Sequence, residues 1–379
     1  MKKIIVLILI VFTAFSKMNA QEQNTITTAA PFLLIAPDAR AGGMGDIGVA
    51  TSPDANSQHW NASKFAFMSS QYTIGVTYTP WLRELTNDVF LGGFSFANRI
   101  DDRSAWATSL KYFNLGQIDL TDINGLPQGT EKLNEFSIDA SYSLKLNETF
   151  AMGVTMRYIR SDLGIESANS PVQPVNTFAV DISGYFQSDE RNYGNFNGIW
   201  RGGFNISNIG PKVSYSDDGQ DNFIPTNLKI GGGFDFILDN YNKVSVNLEF
   251  NKLLVPTPSV SIAGDGTPPY EQDDVSFFSG IFSSFGDAPG GFSEELKEFT
   301  WALGAEYMYD NSFAIRAGYF NESDLKGARK YFTLGSGFNF KSSKIDISYL
   351  FNASDINNPL ENTLRFSLSF DFGELFEIN

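Results

Sequence analysis

The chain has 379 residues, with 27 basic and 43 acidic side chains, a formal net charge of −16 and no cysteine. The lack of cysteine excludes a disulfide framework, a thiolate metal site and a lipoprotein anchor, and so acidic a chain lacks the basic surface that binds nucleic acid. Aromatic residues make up 15% of the chain and glycine occurs 34 times, a composition that favours strands over helices.

The first twenty residues predict a secretory signal peptide. Two lysines precede an apolar run over residues 4–15, and Met18-Asn19-Ala20 forms a cleavage site. The run is too short to cross a bilayer as a helix, and an uncleaved N-terminal anchor is the alternative interpretation. Removal of residues 1–20 takes away three basic residues and no acidic one, which moves the net charge from −16 to −19.

Residues 21–71 show no strand periodicity and predict a plug-like segment, or hatch, that enters the lumen of a barrel. Within it, Gly43-Met44-Gly45-Asp46-Ile47-Gly48 matches the G-x-G-x-x-G pattern of dinucleotide-binding proteins. No βαβ unit surrounds the pattern, and the position about 20 residues further on, near Met68, is not acidic. We therefore interpret the match as a tight backbone turn or as chance.

From residue 72 onward, apolar and polar residues alternate, which indicates strands with two unlike faces. In residues 243–250, KVSVNLEF, every second residue is apolar. Segments of this kind are predicted at residues 72–78, 89–97, 104–113, 134–144, 150–160, 176–187, 199–208, 226–236, 242–250, 298–308, 311–320, 331–340, 343–352 and 361–372.

Most of these segments have about ten residues, whereas strands of soluble proteins have about five or six. A strand of that length, tilted by about 40°, spans the roughly 25 Å apolar band of an outer-membrane barrel. Short and long connections alternate, and the longest covers residues 251–297. The sequence thus predicts an all-β fold, a transmembrane antiparallel β-barrel of about 14 strands over residues 72–379, with both termini periplasmic and the long loops extracellular.

Charged residues on the polar strand faces suit a polar barrel interior. They are Lys111, Asp139, Arg157, Asp181, Arg316, Asp346 and Arg365. A soluble β-sandwich also alternates apolar and polar residues, but it would have to cover every apolar face internally.

Enzymatic interpretations find little support in the sequence. His59 is the only histidine, so a Ser-His-Asp arrangement or a histidine metal site would have to use it. The chain has no G-x-S-x-G nucleophile motif. Residues 216–221 offer oxygen ligands for calcium but lack the closing glutamate of an EF-hand loop, so a solvated acidic turn is the simpler interpretation. We predict no enzymatic activity, no metal and no cofactor.

The longest loop contains an unexpected group of phenylalanines. Phe278, Ile281, Phe282 and Phe285 recur at the spacing of one helical face, and burial of each phenylalanine would gain about 1.5–3 kcal/mol. Three surfaces are candidates to cover these side chains: the barrel's own outer loops, the membrane surface and a partner protein. We favour the partner protein. The predicted partner-binding residues are Phe277, Phe278, Ile281, Phe282, Phe285 and Phe292.

Two regions resemble known families. Asp38-Ala39-Arg40-Ala41, Gly43-Met44-Gly45 and Trp60-Asn61-Ala62-Ser63 resemble the entry motif of barrels similar to the fatty-acid transporter FadL. With the strand count and the loop Val275–Glu298, they resemble more closely the PorV (LptO) family of the Bacteroidetes type IX secretion system. The hatch residues that this resemblance marks are Asp38, Arg40, Gly43, Gly45, His59, Trp60 and Asn61. One departure is that residues 373–379 continue past Phe372, whereas such barrels commonly finish on an aromatic residue.

The PorV resemblance implies a FadL-like barrel in the outer membrane that is not itself a pore for protein. Proteins of this family associate with the SprA/Sov translocon, collect secreted cargo through its C-terminal signal domain, and pass it to the PorU-containing attachment complex. The alternative, drawn from the FadL-like architecture by analogy, is a transporter of hydrophobic small molecules. A third hypothesis, an outer-membrane enzyme acting on lipid, has no residue constellation to support it.

Overall fold

A computed structural model of the protein describes residues 25–82, 86, 88–122, 124–163, 173–216, 221–260, 270–271, 275–354 and 361–376. The predicted signal peptide and most of the acidic stretch 216–221 lie outside these residues.

Within these residues, fourteen long antiparallel strands form one closed sheet in which each strand pairs with its neighbours in the chain. The strands are β1 (Ser70–Pro80), β2 (Phe90–Arg99), β3 (Ser104–Thr121), β4 (Pro127–Asn147), β5 (Phe150–Asp162), β6 (Val175–Gln187), β7 (Asn197–Ile209), β8 (Asn227–Ile237), β9 (Asn242–Leu253), β10 (Thr300–Tyr309), β11 (Phe313–Asn321), β12 (Lys330–Phe340), β13 (Ser343–Asn352) and β14 (Leu364–Leu375). The ring closes where β14 pairs with β1, with Val76 opposite Leu368.

The other regular elements of the described chain are short. The helices are α1 (Ala39–Gly42), α2 (Ser57–Trp60), α3 (Phe277–Ser283) and α4 (Phe292–Glu295), with 3₁₀ turns at Pro31–Leu34, Ala62–Phe67 and Leu296–Glu298. Two-residue strands occur at Arg191–Asn192, beside β7, and at Ser259–Val260, which pairs with Tyr270–Glu271. No helix in the described part of the chain is long and apolar enough to cross a membrane.

Each predicted strand segment is a strand of the barrel, which confirms the fold class. The main difference lies between the predicted segments 104–113 and 134–144, where most of the connection continues the β3–β4 hairpin. Ile118 pairs with Glu131 and Leu120 with Gly129, after an irregularity between Asn114 and Gln117. The hairpin extends because the backbone groups of this long connection need hydrogen-bond partners, and each strand supplies them to the other.

The barrel is apolar outside and polar inside, the reverse of a soluble barrel. All seven charged residues predicted to face the lumen, from Lys111 to Arg365, are buried. The opposite face of the strands exposes large apolar side chains, among them Val76, Phe94, Leu110, Ile138, Val154, Phe178, Ile315 and Leu334. Because side chains alternate between the faces of a strand, this arrangement suits a wall with hydrocarbon outside and polar groups within. The β-sandwich interpretation is therefore wrong.

Tight turns lie at one end of the barrel and longer connections at the other. Asp310 and Asn311, both with positive φ, form the turn between β10 and β11 at the short-turn end. We expected both chain termini at that end, and Leu375 of β14 does lie there. The N-terminal part of the described chain differs, because the amide of Ala29 donates to the carbonyl of Phe223 in the long β7–β8 connection. Phe32 and Leu33 explain the difference, since they are buried in an apolar cluster with Leu91, Phe113, Ile159 and Ile224 near that end.

Candidate functional site

The N-terminal segment runs through the barrel from the long-loop end to the short-turn end. We call its described part, residues 25–69, the plug. Polar side chains cap the N-termini of its short helical turns. Asp38 Oδ2 accepts a hydrogen bond from the amide of Ala41 at 2.8 Å, and Asn61 Oδ1 accepts one from the amide of Ser63 at 3.1 Å. At the short-turn end, the guanidinium of Arg99 donates to the carbonyl of Met68.

Glycines in the barrel wall let the plug backbone lie directly against the strands. A Cβ atom on Gly318 of β11 would overlap the backbone of Met44 and Gly45. A Cβ on Gly335 of β12 would lie 2.9 Å from Cα of Gly43, and one on Gly153 of β5 would lie 2.9 Å from the amide nitrogen of Ser63. Glycine serves here because only the absence of a side chain permits such a close backbone approach.

Buried ion pairs join the plug to the wall. Arg40 contacts Asp54 at 2.7 Å within the plug and Glu306 of β10 at 3.1 Å. Glu306 also accepts from Arg316 of β11 at 2.6 Å. On the next turn of the plug, Asp46 pairs with Arg365 of β14. A buried charge that loses its partner is costly, so these pairs fix the position of the plug.

Side chains of the barrel wall also accept hydrogen bonds from backbone amides of the plug. Glu249 Oε2 of β9 accepts from the amides of Gly48 and Val49, at 2.9 Å each. The hydroxyl of Thr333 of β12 accepts from the amide of Gly45 at 2.8 Å. The predicted G-x-G-x-x-G match is thus a turn that is held against the strands.

The predicted hatch residues come together inside the plug. Trp60 Nε1 donates to Asp38 Oδ1 at 2.7 Å, and Asn61 Nδ2 donates to the carbonyls of Val49 and Gly184 at 2.9 Å each. His59 packs edge-on against Trp60 with ring centroids 4.8 Å apart. These contacts join the motif residues to one another, to the plug backbone and to β6.

His59 borders a lumenal cavity of about 30 Å³, together with Gln58, Lys111 and Asp139. That volume accommodates one or two water molecules. A cavity of this size holds no lipid, and no hydroxyl or thiol nucleophile is hydrogen-bonded to His59 in the described chain.

The second site is the end of the longest loop. We call residues 275–299 the docking loop. As predicted, residues 277–283 form a helix, which Ser276 caps by accepting from the amide of Ser279 at 3.3 Å. We call its exposed phenylalanines the aromatic patch: Phe278 is 60% exposed, Phe282 76%, Phe285 48% and Phe292, on α4, 77%. Phe277 and Ile281 are half-buried.

The fully buried residues of helix α3 and its C-terminal cap are small and not aromatic. Gly280 and Ser284 are buried, whereas Phe278 and Phe282 point away from them. A Cβ on Gly280 would lie 2.7 Å from Cε1 of Phe223 and 3.2 Å from Cδ of Pro256. The described outer loops therefore leave the aromatic patch uncovered.

A buried charge network anchors the rest of the docking loop. Lys252 Nζ at the end of β9 contacts Glu295 at 2.6 Å and Glu298 at 2.7 Å. Lys326, in the β11–β12 connection, contacts Glu294 at 2.6 Å and Glu298 at 3.0 Å. Although burial alone would raise the pKa of Glu298, the hydrogen bonds from Lys252, Thr257 and Lys326 lower it.

Asp287 lies beside this network, with its carboxylate within 4.8 Å of those of Glu295 and Glu298. Burial, and then the charges of Glu298 and Glu295, raise the pKa of Asp287 to about 6. Three carboxylates at this spacing resemble a metal-ligand set, but Glu295 and Glu298 are already paired with the ammonium groups of Lys252 and Lys326. We therefore interpret the cluster as a salt-bridge network.

The chain matches a family model described as "Type IX secretion system protein PorV" over residues 18–260, more than half of its length. The chain belongs to the PorV family. It is therefore an outer-membrane β-barrel component of type IX secretion. No protein in the curated collection matches the chain.

Solved structures similar to this PorV-family chain are outer-membrane barrels. The TodX monoaromatic hydrocarbon channel with a deltaS2S3 mutation is 11% identical, with 89% of this chain and 100% of that chain covered and a TM-score of 0.52. Its deltaS2 mutant gives 11% identity, 89% and 99% coverage and a TM-score of 0.50. A Pseudomonas aeruginosa FadL homologue gives 10% identity, 90% and 99% coverage and a TM-score of 0.46. Identities this low show the shared fold alone.

Sequence reasoning missed two features of the PorV-family site. The wall glycines were assigned no role from the sequence, and only their repeated occurrence on lumen-facing positions could have signalled a close backbone approach. Lys252 and Lys326 were not among the residues singled out from the sequence. The acidic stretch Glu294–Glu298 was the available signal that buried cations lie nearby.

Proposed function

We propose that this protein binds the type IX translocon, SprA/Sov, from within the outer membrane. It collects secreted proteins there through their C-terminal signal domains and passes them to the PorU-containing attachment complex. The long-loop end faces the cell exterior and β14 ends in the periplasm. The aromatic patch on the docking loop is the surface that meets the protein partner, and the apolar strand faces contact membrane lipid.

The observation that carries this proposal is the exposure of the aromatic patch. A phenylalanine offers about 150–250 Å² of surface, so the exposed fractions amount to on the order of 500 Å² of aromatic area. Apolar patches of that size on a soluble surface mark interaction sites. One side of a standard protein–protein interface buries about 800 Å², so the patch supplies more than half of one. This area favours a protein partner over a small ligand.

The contacts that hold α3 in place support the same proposal. Because Gly280 is packed on Phe223 and the lysine network holds α4, the patch is ordered before any partner arrives. Binding then costs less conformational entropy than it would for a flexible loop. An amphipathic helix that presents aromatic anchors is a common means of docking into a hydrophobic groove.

Transport of hydrophobic small molecules remains the alternative that the fold suggests, and the interior of the barrel counts against it. The lumen is lined by Arg, Lys, Asp and Glu side chains that bind the plug. A hydrophobic solute would have to displace buried ion pairs to pass. We therefore expect neither transport nor catalysis from this barrel.

The test is a double substitution in cells, Phe278→Asp with Phe282→Asp. Its matched control, Phe278→Leu with Phe282→Leu, keeps the patch apolar. We expect the aspartate variant to assemble normally in the outer membrane, with secretion of type IX cargo lost, and the leucine variant to keep most of it. Normal secretion by the aspartate variant would remove the aromatic patch from the mechanism.

A further inference from the structure

The outer end of the plug lies directly beneath the β7–β8 connection. The amide of Ala29 donates to the carbonyl of Phe223 at 2.8 Å, and that of Ala30 donates to the hydroxyl of Tyr215 at 3.3 Å. Ile224 belongs to the same buried apolar cluster as Phe32 of the plug. The connection that carries Phe223 is therefore held from below by the plug.

The same connection holds the docking helix from the other side. The Phe223 side chain is 3% exposed, and its ring edge is in contact with Gly280, the buried residue at the centre of α3. Lys212 Nζ lies 4.7 Å from the centre of that ring. Phe223 thus links the plug, through its backbone, to the docking helix, through its side chain.

The plug is poorly suited to act as a gate. Displacement would separate Arg40 from Glu306 and Asp46 from Arg365, all of which are inside the barrel. It would also remove the Met44–Gly45 backbone from its close contact with Gly318. Buried charges that lose their partners are strongly unfavourable, so a moving plug would need a large compensating interaction.

From this geometry we propose that the plug is a scaffold for the docking loop and not a gate, and that Phe223 is the positioning residue between them. The plug fills the barrel permanently and supports the β7–β8 connection, which in turn holds α3 with its aromatic face outward. This inference rests on the proposed function for its consequence in secretion. The order of α3 itself is measurable without any partner.

The first experiment measures amide hydrogen exchange of residues 277–283 in the purified full chain in detergent. We expect Phe223→Ala to speed exchange there by about tenfold or more, because the helix loses the side chain on which it rests. Phe196→Ala, which removes a half-buried phenylalanine at the opposite end of the barrel, is the matched control and should leave exchange in α3 unchanged. An unchanged rate in Phe223→Ala would overturn the proposal.

A second variant tests the contact between Phe223 and Gly280 by changing the residue on the helix. Alanine favours a helix interior more than glycine does, so Gly280→Ala would slow exchange in a helix that stood alone. Here the added Cβ would lie 2.7 Å from the Phe223 ring, and we expect exchange to become faster. Slower exchange would show that α3 does not depend on Phe223.

The second experiment distinguishes a scaffold from a gate. The chain has no cysteine, so Ala39→Cys with Ser367→Cys introduces a single pair where the Ala39 amide lies 2.8 Å from the Ser367 hydroxyl. Once mass spectrometry confirms the disulfide, a scaffold predicts unchanged cargo secretion. Secretion that is lost in the crosslinked protein and restored by reductant would show that the plug must move.

These results separate the two proposals. Normal secretion by the Phe278→Asp, Phe282→Asp variant would contradict the docking role while the exchange data still establish the scaffold. Unchanged exchange in Phe223→Ala would contradict the scaffold and leave the docking role standing.

Discussion

Arg40 of the plug and Glu306 of β10 form a two-pronged ion pair inside the barrel, with Nε 3.2 Å from Oε2 and Nη2 3.1 Å from Oε1. Glu306 also binds Arg316, which reaches Asp346 of β13 at 2.6 Å. One carboxylate therefore connects the plug to two further strands. The network makes the plug part of the folded barrel and not an accessory to it.

Arg40→Met should destabilise the folded protein by about 3–5 kcal/mol, because it leaves Asp54 without its guanidinium partner and Glu306 with one cation fewer. The measurement is the urea midpoint of the purified barrel in detergent. Arg160→Met is the control, since the Arg160–Asp162 pair at 3.3 Å is partly exposed and such pairs contribute about 0–1 kcal/mol. Equal midpoints for the two variants would contradict the account of the plug.

Gly318→Val should displace the plug, since a side chain there would occupy the space of the Met44 and Gly45 backbone. We expect protease to cleave the plug in this variant while the strands remain resistant. Gly232→Val is the matched control, because that glycine faces outward from β8 and its nearest neighbour is 3.8 Å from an added Cβ. An intact plug in Gly318→Val would show that the wall glycines are not what admits it.

The pH dependence of the docking loop should depend on Asp287. Its pKa is about 6 in the folded loop against an ordinary 3.8, so the folded loop holds this proton more tightly than the unfolded one does. Ionisation of Asp287 therefore lowers the stability of the folded loop progressively as the pH rises from about 4 to 6. Above that range the full loss of stability is present. Asp287→Asn should slow exchange of residues 277–298 at pH 7.5 and have little effect near pH 4.

The control for this prediction is Asp189→Asn, which removes an exposed carboxylate at the short-turn end and should leave the loop unchanged. If Asp287→Asn speeds exchange at pH 7.5, the carboxylate stabilises the loop and the predicted sign is wrong.

The barrel was predictable because its signal is local. Alternation in residues 243–250 determines which side chains of β9 share a face, so Glu249 was expected in the lumen. Its partners, the amides of Gly48 and Val49, lie about 200 positions away in the sequence. No local pattern indicates a contact of that kind.

The docking loop shows the same division between local and distant information. The spacing of Phe278, Phe282 and Phe285 correctly predicted a helix, and such a stripe ordinarily marks the buried face. Here the buried face carries Gly280, because Phe223 of a distant connection leaves room only for a residue without a side chain. The orientation of the helix is thus decided by a tertiary contact that the helical pattern does not contain.

The most direct test of the docking role replaces Phe282 with a photo-reactive phenylalanine analogue in living cells. The same replacement at Tyr241, an exposed aromatic residue at the short-turn end, serves as the control. After illumination, we expect position 282 to crosslink to a protein far larger than this barrel, the translocon, and position 241 not to do so. Crosslinks from position 282 to lipid or to the barrel's own loops, with none to a secretion component, would contradict the account.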